Sequence, residues 1–264
     1  MEYRQLGSSG VQVPEVGLGM WQYRGGVEPL RRGIELGATL LDTAEIYRTE
    51  DVAGQAIQGL RDRVFVATKV SGDHLKYDQV LKAADASLKR LGVSTIDLYQ
   101  VHWPDDGVPI AETMRALEEL VDGGKVRFIG VSNFSVAECQ RAQAALKRNR
   151  IVSNQVEYSL LRRAIEPDIA RYYEPNGVTV MAYSPLARGE LVSTKQRRGL
   201  QVLQAIAQEL GRTPAQVALN WCLSRPAVIT IPKSDRIDRV EENCAASGWS
   251  LTPEHVTALD EAFS

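Results

Sequence analysis

Asp42, Tyr47, Lys69 and His102 are the side chains of this sequence that could do chemistry together. Asp42 closes the apolar start of LLDTAEIY (Leu40–Tyr47). Lys69 stands near the end of VFVATKV (Val64–Val70), and His102 ends IDLYQVH (Ile96–His102). A buried unpaired charge is very costly, so an ionisable group at the end of an apolar strand meets water or a partner. A free phenol, with a pKa of ~10, is a poor proton donor near neutrality. A nearby ammonium favours the phenolate and lowers that value by roughly 1–3 units. With Asp42 keeping Lys69 charged and aimed, Tyr47 becomes an acid for carbonyl reduction or, in reverse, a base for alcohol oxidation. His102 could then hydrogen-bond the carbonyl oxygen. Taken singly, each residue has a plainer reading: a structural ion pair, a loop aromatic, a satisfied imidazole at a strand end. Chemistry is favoured because three β-prone runs each deliver an ionisable group at the C-terminal end.

The surrounding pattern says how such ends could share one mouth. Tyr3–Leu6 and Val11–Val13 flank Gly7-Ser8-Ser9-Gly10 and read as a hairpin. Strands are then expected at Val16–Gly19, Leu40–Asp42, Val64–Lys69, Ile96–His102, Val126–Val131, Val152–Val156, Thr179–Ala182 and Val228–Ile231. Between them, helical periodicity and stop signals place helices at Glu28–Leu36, Asp51–Gln58, Asp78–Leu91, Ile110–Asp122, Ser135–Ala145 and Ile165–Tyr173. Ser135 with Glu138 forms a capping-box signature. A long polar connection, Leu186–Arg198, precedes helices at Leu200–Leu210 and Thr213–Leu223; Ile237–Ala246 and Pro253–Phe263 complete the series. Alternation of this kind implies a parallel sheet. Eight units in 264 residues fit an α/β fold, a (β/α)8 TIM barrel with an N-terminal β-hairpin, typically ~250 residues long. No linker or composition shift interrupts residues 1–264, so one domain is expected, with its chemistry at the C-terminal ends of the strands.

Composition narrows the function classes. The formal net charge of −2 offers no global field for nucleic acid or an anionic membrane. No apolar run approaches the ~18 residues of a spanning helix, and MEYRQLGSSG is no secretory signal. Cys139, Cys222 and Cys244 are odd in number and scattered, as in a reducing cytoplasm. With His74, His102 and His255 alone, and no HExxH or paired CxxC, a metal site is not expected. Gly17 and Gly19 lack the third glycine of a dinucleotide-binding G-x-G-x-x-G.

LLDTAEIY, FVATKV, LYQVHWP, IGVSNFS, NQVEYS, MAYSPLARG and IPKS…RVEEN, in this order, resemble the aldo-keto reductase family, in a short, prokaryotic-like form. The resemblance runs from the hairpin to the last helix. It implies NADPH/NADP+ as cofactor and reduction of aldehydes or ketones by hydride transfer. On it, Tyr47 is the proton donor, Lys69 and Asp42 tune it, and His102 orients the carbonyl. Ser132, Asn133 and Gln155 would hold the nicotinamide carboxamide, an amide that needs both donors and acceptors, and Tyr183 would stack on the ring. Ser184, Leu186 and Gly189 would line the pyrophosphate. Lys233, Ser234 and Arg239 would take the 2′-phosphate, for which cations and a hydroxyl are suited. Glu242 and Asn243 would face the adenine. Trp21 and Trp103 are expected as walls of the substrate pocket.

The sequence departs from the family pattern after Tyr47, where Arg48-Thr49-Glu50 replaces a glycine followed by Asn-Glu. Arg48 could attract anionic substrates such as keto acids, or point to solvent. Ser264 follows directly on the last helix, so an open mouth and a broad range of small aldehydes and α-dicarbonyls are expected, with a monomer as the working form. The alternative is an NADPH-binding regulatory subunit that acts through a protein partner, as do channel β-subunits of this fold. Consumption of NADPH with aldehydes discriminates the two.

Overall fold

The computed structural model describes residues 1–192 and 197–264. A hairpin of β1 (Tyr3–Gln5) and β2 (Gln12–Pro14) precedes eight parallel strands that neighbour one another in sequence order. These are β3 (Leu18–Gly19), β4 (Leu40–Asp42), β5 (Phe65–Val70), β6 (Ile96–Val101), β7 (Val126–Ser132), β8 (Ile151–Glu157), β9 (Thr179–Tyr183) and β10 (Val228–Thr230). The ends of the series meet: Val16 bridges Thr230 in parallel, and Gly19 N donates to Pro232 O at 3.1 Å. The sheet therefore closes as the expected (β/α)8 barrel. A side chain at Gly19 would place its Cβ 2.4 Å from Ile231 O, so only glycine permits this closure.

Outside the strands lie α1 (Glu28–Glu35), α2 (Glu50–Ile57), α3 (Tyr77–Leu91), α4 (Ile110–Asp122), α5 (Val136–Ala145), α6 (Glu166–Asp168), α7 (Arg197–Glu209), α8 (Pro214–Leu223), α9 (Ile237–Cys244) and α10 (Pro253–Ala262). Strands β5 and β6 are buried along their whole length, as both faces of a parallel barrel sheet must be. The capping box of α5 forms as read: Ser135 Oγ accepts from Glu138 N, and the Glu138 carboxylate accepts from Ser135 N at 2.7 Å.

Two expected elements differ. The helix read at Ile165–Tyr173 is a single turn, α6, continued by a wider π-helical turn over Ile169–Tyr173. That turn ends on Tyr173, whose hydroxyl accepts from the buried Asn154 at 2.8 Å. Of the connection read at Leu186–Arg198, residues 193–196 lie outside the described residues. Ala187–Val192 forms 3-10 turns across a kink at Arg188 and Gly189, both with positive φ, and α7 begins at Arg197, before the Leu200 expected.

The barrel interior is a distinct core. Leu40, Phe65, Ala67, Leu98, Val152, Met181, Ile229 and Ile231 pack there with Leu6 and Val13 of the hairpin, which plugs the N-terminal end. Burying one such leucine contributes about 1.5–3 kcal/mol. Strand side chains alternate between faces, so these interior residues fix which of their neighbours also point inward. Leu40 implies Asp42; Phe65 and Ala67 imply Lys69; Leu98 implies Gln100 and His102; Met181 implies Tyr183. Apolar interior positions thus give way to polar ones at the C-terminal end of each strand.

Candidate active site

At that end Asp42 and Lys69 form a pair closed off from solvent. Lys69 is fully buried; its Nζ donates to Asp42 Oδ2 at 2.7 Å and to Thr43 O at 2.8 Å. The other carboxylate oxygen of Asp42 accepts from Gln155 Nε2 at 2.8 Å and Gln100 Nε2 at 3.3 Å. One carboxylate thereby ties β4, β5, β6 and β8 across the barrel. Burial outweighs the attraction of Asp42 and holds the Lys69 ammonium below its usual pKa.

Tyr47 comes from a 3-10 turn, Glu45–Tyr47, directly after β4, and the chain turns away at Arg48 with φ of 56°. Its ring lies against Lys69, with Nζ 4.9 Å from the centroid, and edge-on to His102 at 5.3 Å. Tyr47 Oη and His102 Nε2 are 3.3 Å apart. Burial, and then the Asp42 carboxylate, hold the phenol above its usual pKa. This differs from the expectation that Lys69 pulls the phenol down: burial disfavours the phenolate, and the Asp42 carboxylate beside the ammonium adds to that. Burial and the positive charge of Lys69 push the His102 imidazole down to about 3. His102 is therefore neutral at ordinary pH. Its Nδ1 is buried without a partner among the described residues. A bare acceptor is tolerated in that position better than an orphaned N–H, which assigns the proton to Nε2, facing Tyr47.

Above this pair opens a cavity of about 230 Å³. Asp42, Tyr47, His102, Trp21, Trp103, Ser132, Asn133, Gln155, Tyr183, Ser184 and Lys233 all line it, while Lys69 lies just beneath. Trp21 and Trp103 are exposed at its walls. Asn133, in a left-handed conformation, donates to His102 O at 3.1 Å and to Ser132 Oγ at 3.0 Å, and accepts from Tyr183 Oη at 3.0 Å. Gln155 has its amide nitrogen engaged by Asp42, so its oxygen is the end left for a ligand.

The remaining expected residues lie outside this cavity: Leu186 just before the kinked turns and Gly189 within them, Ser234 before α9, and Arg239, Glu242 and Asn243 in that helix. There Arg239 pairs with Glu242, and Lys233 with Asp235, each at 2.5 Å. Sequence reading missed Gln100, Gly19, Met20, Ile46, Arg188 and Ile231. Strand alternation back from His102 would have found Gln100, and adjacency to Tyr47 would have found Ile46.

Residues 15–263 match the model of the aldo/keto reductase family. The chain belongs to this family. As an aldo-keto reductase it is an oxidoreductase. The methylglyoxal reductase YeaE of Escherichia coli is 37% identical over 100% of this chain and 96% of its own. The thermostable aldo-keto reductase Tm1743, solved with the inhibitor epalrestat, superposes with a TM-score of 0.93 at 36% identity, covering 99% of this chain and 100% of that one. An aldo-keto reductase of Klebsiella pneumoniae in complex with NADPH has a TM-score of 0.89 at 36% identity, covering 100% and 96%.

Proposed function

We propose that this aldo-keto reductase uses NADPH to reduce small aldehydes and α-dicarbonyls, methylglyoxal among them, with Tyr47 as the proton donor. NADPH is the cofactor of a solved relative, and methylglyoxal the substrate named for a curated one. What carries the reading is the convergence of Tyr47 Oη and His102 Nε2, 3.3 Å apart, on one point of the cavity.

The residues present fit a nicotinamide cofactor. Ser132, Asn133 and Gln155 set hydroxyl and amide groups side by side at the ends of β7 and β8, a donor and acceptor set suited to a carboxamide. Tyr183 stands beside them with its ring available for stacking. On this reading Ser184, Leu186 and Gly189 follow the pyrophosphate. Lys233, Ser234 and Arg239 take the 2′-phosphate, exchanging carboxylate partners for it, and Glu242 and Asn243 face the adenine.

When bound, NADPH supplies the hydride. His102, neutral and with the proton on Nε2, donates a hydrogen bond to the carbonyl oxygen without competing as an acid. Tyr47 gives its proton to the same oxygen as negative charge develops there. The transfer remains downhill from the phenol, because an alkoxide is more basic than a tyrosinate. The tyrosinate left behind faces Lys69, which stabilises it until a proton returns. Asp42, Gln100 and Gln155 keep Lys69 in place.

Loss of NADPH absorbance with methylglyoxal and aromatic aldehydes tests the activity. Tyr47→Phe removes only the hydroxyl, so kcat is expected to fall ~10²–10⁴-fold, the usual contribution of general acid catalysis, while NADPH affinity stays. Wild-type turnover in that variant would mean that the proton comes from elsewhere.

A further inference from the structure

We propose that Glu45 is a positioning residue for the proton transfer: its carboxylate holds the turn that carries Tyr47, and so keeps the phenol within reach of the reacting oxygen. This rests on the reading that Tyr47 is the proton donor. The turn needs such a hold, because its backbone has no other. The last backbone bond between this segment and β5 is Thr43 N to Ala67 O, at 2.9 Å. Past it, no backbone hydrogen bond joins residues 44–48 to another element among the described residues. None of Glu45, Ile46 and Tyr47 is fully buried, and Ile46 is more than half exposed, so apolar burial adds little within the turn. The hydroxyls of Thr43 and Thr49, 2.8 Å apart, draw the two ends of the loop together without setting its tilt. The bond of Tyr47 Oη with His102 cannot be the hold, because that hydroxyl has to turn to the substrate.

Both oxygens of the Glu45 carboxylate are engaged. Oε2 accepts from Ser71 N at 2.9 Å, and Oε1 from His74 Nδ1 at 2.5 Å. Both donors belong to the segment that follows β5. Ser71 stands two residues beyond Lys69, and its Oγ caps the 3-10 turn Gly72–His74, which ends on His74. One carboxylate therefore bolts the turn of the acid to the strand end of the ammonium. The 4.9 Å between Lys69 Nζ and the Tyr47 ring is thereby held from the backbone side as well. The Glu45 side chain is 15% exposed and His74 46%. The bond to Ser71 N is thus the stronger hold, since a shielded carboxylate cannot readily exchange it for water, and the exposed pair with His74 is the weaker one. Glu45 does not line the cavity, so it acts through Tyr47 and not on a ligand. A misplacement of ~1 Å costs about 10²-fold in rate, enough for a side chain outside the cavity to set the speed of the proton step.

The test reads single-turnover oxidation of bound NADPH by methylglyoxal, so that product release does not mask the chemical step. Glu45→Ala is expected to slow it roughly 10- to 100-fold, while NADPH affinity, followed by fluorescence, stays within about twofold. Glu45→Gln should recover most of the loss, since the amide oxygen can still accept from Ser71 N. Ser71 has a φ of −61°, which proline adopts without strain. Ser71→Pro therefore deletes the N–H that Glu45 uses and should slow the step as Glu45→Ala does, whereas Ser71→Ala keeps that N–H and should not. A double-mutant cycle locates the effect. In Tyr47→Phe, where no phenol is left to aim, Glu45→Ala should cost less than about twofold. Equal losses in both backgrounds would overturn the proposal, because Glu45 would then act on something other than the hydroxyl. An unchanged rate in Glu45→Ala, or a loss confined to KM, would overturn it too. Wild-type turnover in Tyr47→Phe alone would instead remove the reading of Tyr47 as donor, and the proposal with it. Should Glu45→Ala fail to fold, Ser71→Pro against Ser71→Ala decides: a slower proline variant supports the proposal, and equal rates sink it.

Discussion

Asp42 and Asp97 are both almost completely buried, 2% and 1% exposed, at opposite ends of one barrel. Asp97, at the start of β6, accepts from Val66 N and is clamped by Arg61 at 2.8 Å and Arg127 at 2.6 Å. Those arginines remain 31% and 47% exposed and can hydrate their free ends. They tie the first residues of β5, β6 and β7 together. Asp42, at the other end, is paired with a lysine that has no solvent at all, and that lysine touches the phenol of a residue facing an open cavity. Burial and ion pairing are therefore shared by a structural tie and a candidate catalytic pair. What separates them is whether the cation has a second, titratable neighbour on the side that a ligand can reach.

The sharpest way to break this comparison is Lys69→Met. It strands the Asp42 carboxylate, with only two amides for partners, and is expected to cost about 3–5 kcal/mol of stability, as for other broken buried pairs. Turnover should be lost as well. The double variant Asp42→Asn/Lys69→Met removes the stranded charge, so urea denaturation should show much of the stability restored while turnover stays low. A single variant as stable as wild type would mean that the pair is not desolvated in solution.

Acid pH probes the same end through His102. Its folded pKa of about 3 lies below the unfolded value, so folding keeps it neutral and the unfolded chain takes up the proton first. Its contribution is fully present above ~6.5 and is lost as pH falls toward ~3, roughly 2 kcal/mol of it between pH 7 and 5. Denaturation of wild type and His102→Gln across that interval should show the variant flatter by this amount. Identical pH profiles would place His102 in water, contrary to its burial.

The smallest effect is expected at the other end. Asp97→Asn leaves two arginines that can hydrate, and should cost roughly 1 kcal/mol, the scale of a hydrogen bond or a half-exposed ion pair. Its kcat should stay at the wild-type value. A large loss of turnover here would erase the distinction between the two ends.

The order of the elements was legible in the chain because local rules write it: apolar runs of β-prone residues, helical periods, glycine stops and the Ser135–Glu138 cap. The identities of Asp42, Tyr47, Lys69 and His102 were legible for a related reason, since an ionisable group closing an apolar strand needs a partner wherever that strand goes. The sequence alone could not say which partner. That Gln155, 113 residues from Asp42, donates to it depends on barrel closure and strand stagger. The raised phenol of Tyr47 depends first on its burial and then on the nearby Asp42 carboxylate, both set by the folded barrel. Arg188 reads as one more solvated charge in a loop until the kink at Arg188–Gly189 and the closure of the sheet set it on Trp21, two strands away around the barrel. Residue types fixed which charges exist; the closed sheet decided which are cancelled and which are left to meet a ligand, because Coulomb energies depend on separation and burial, which no local pattern encodes.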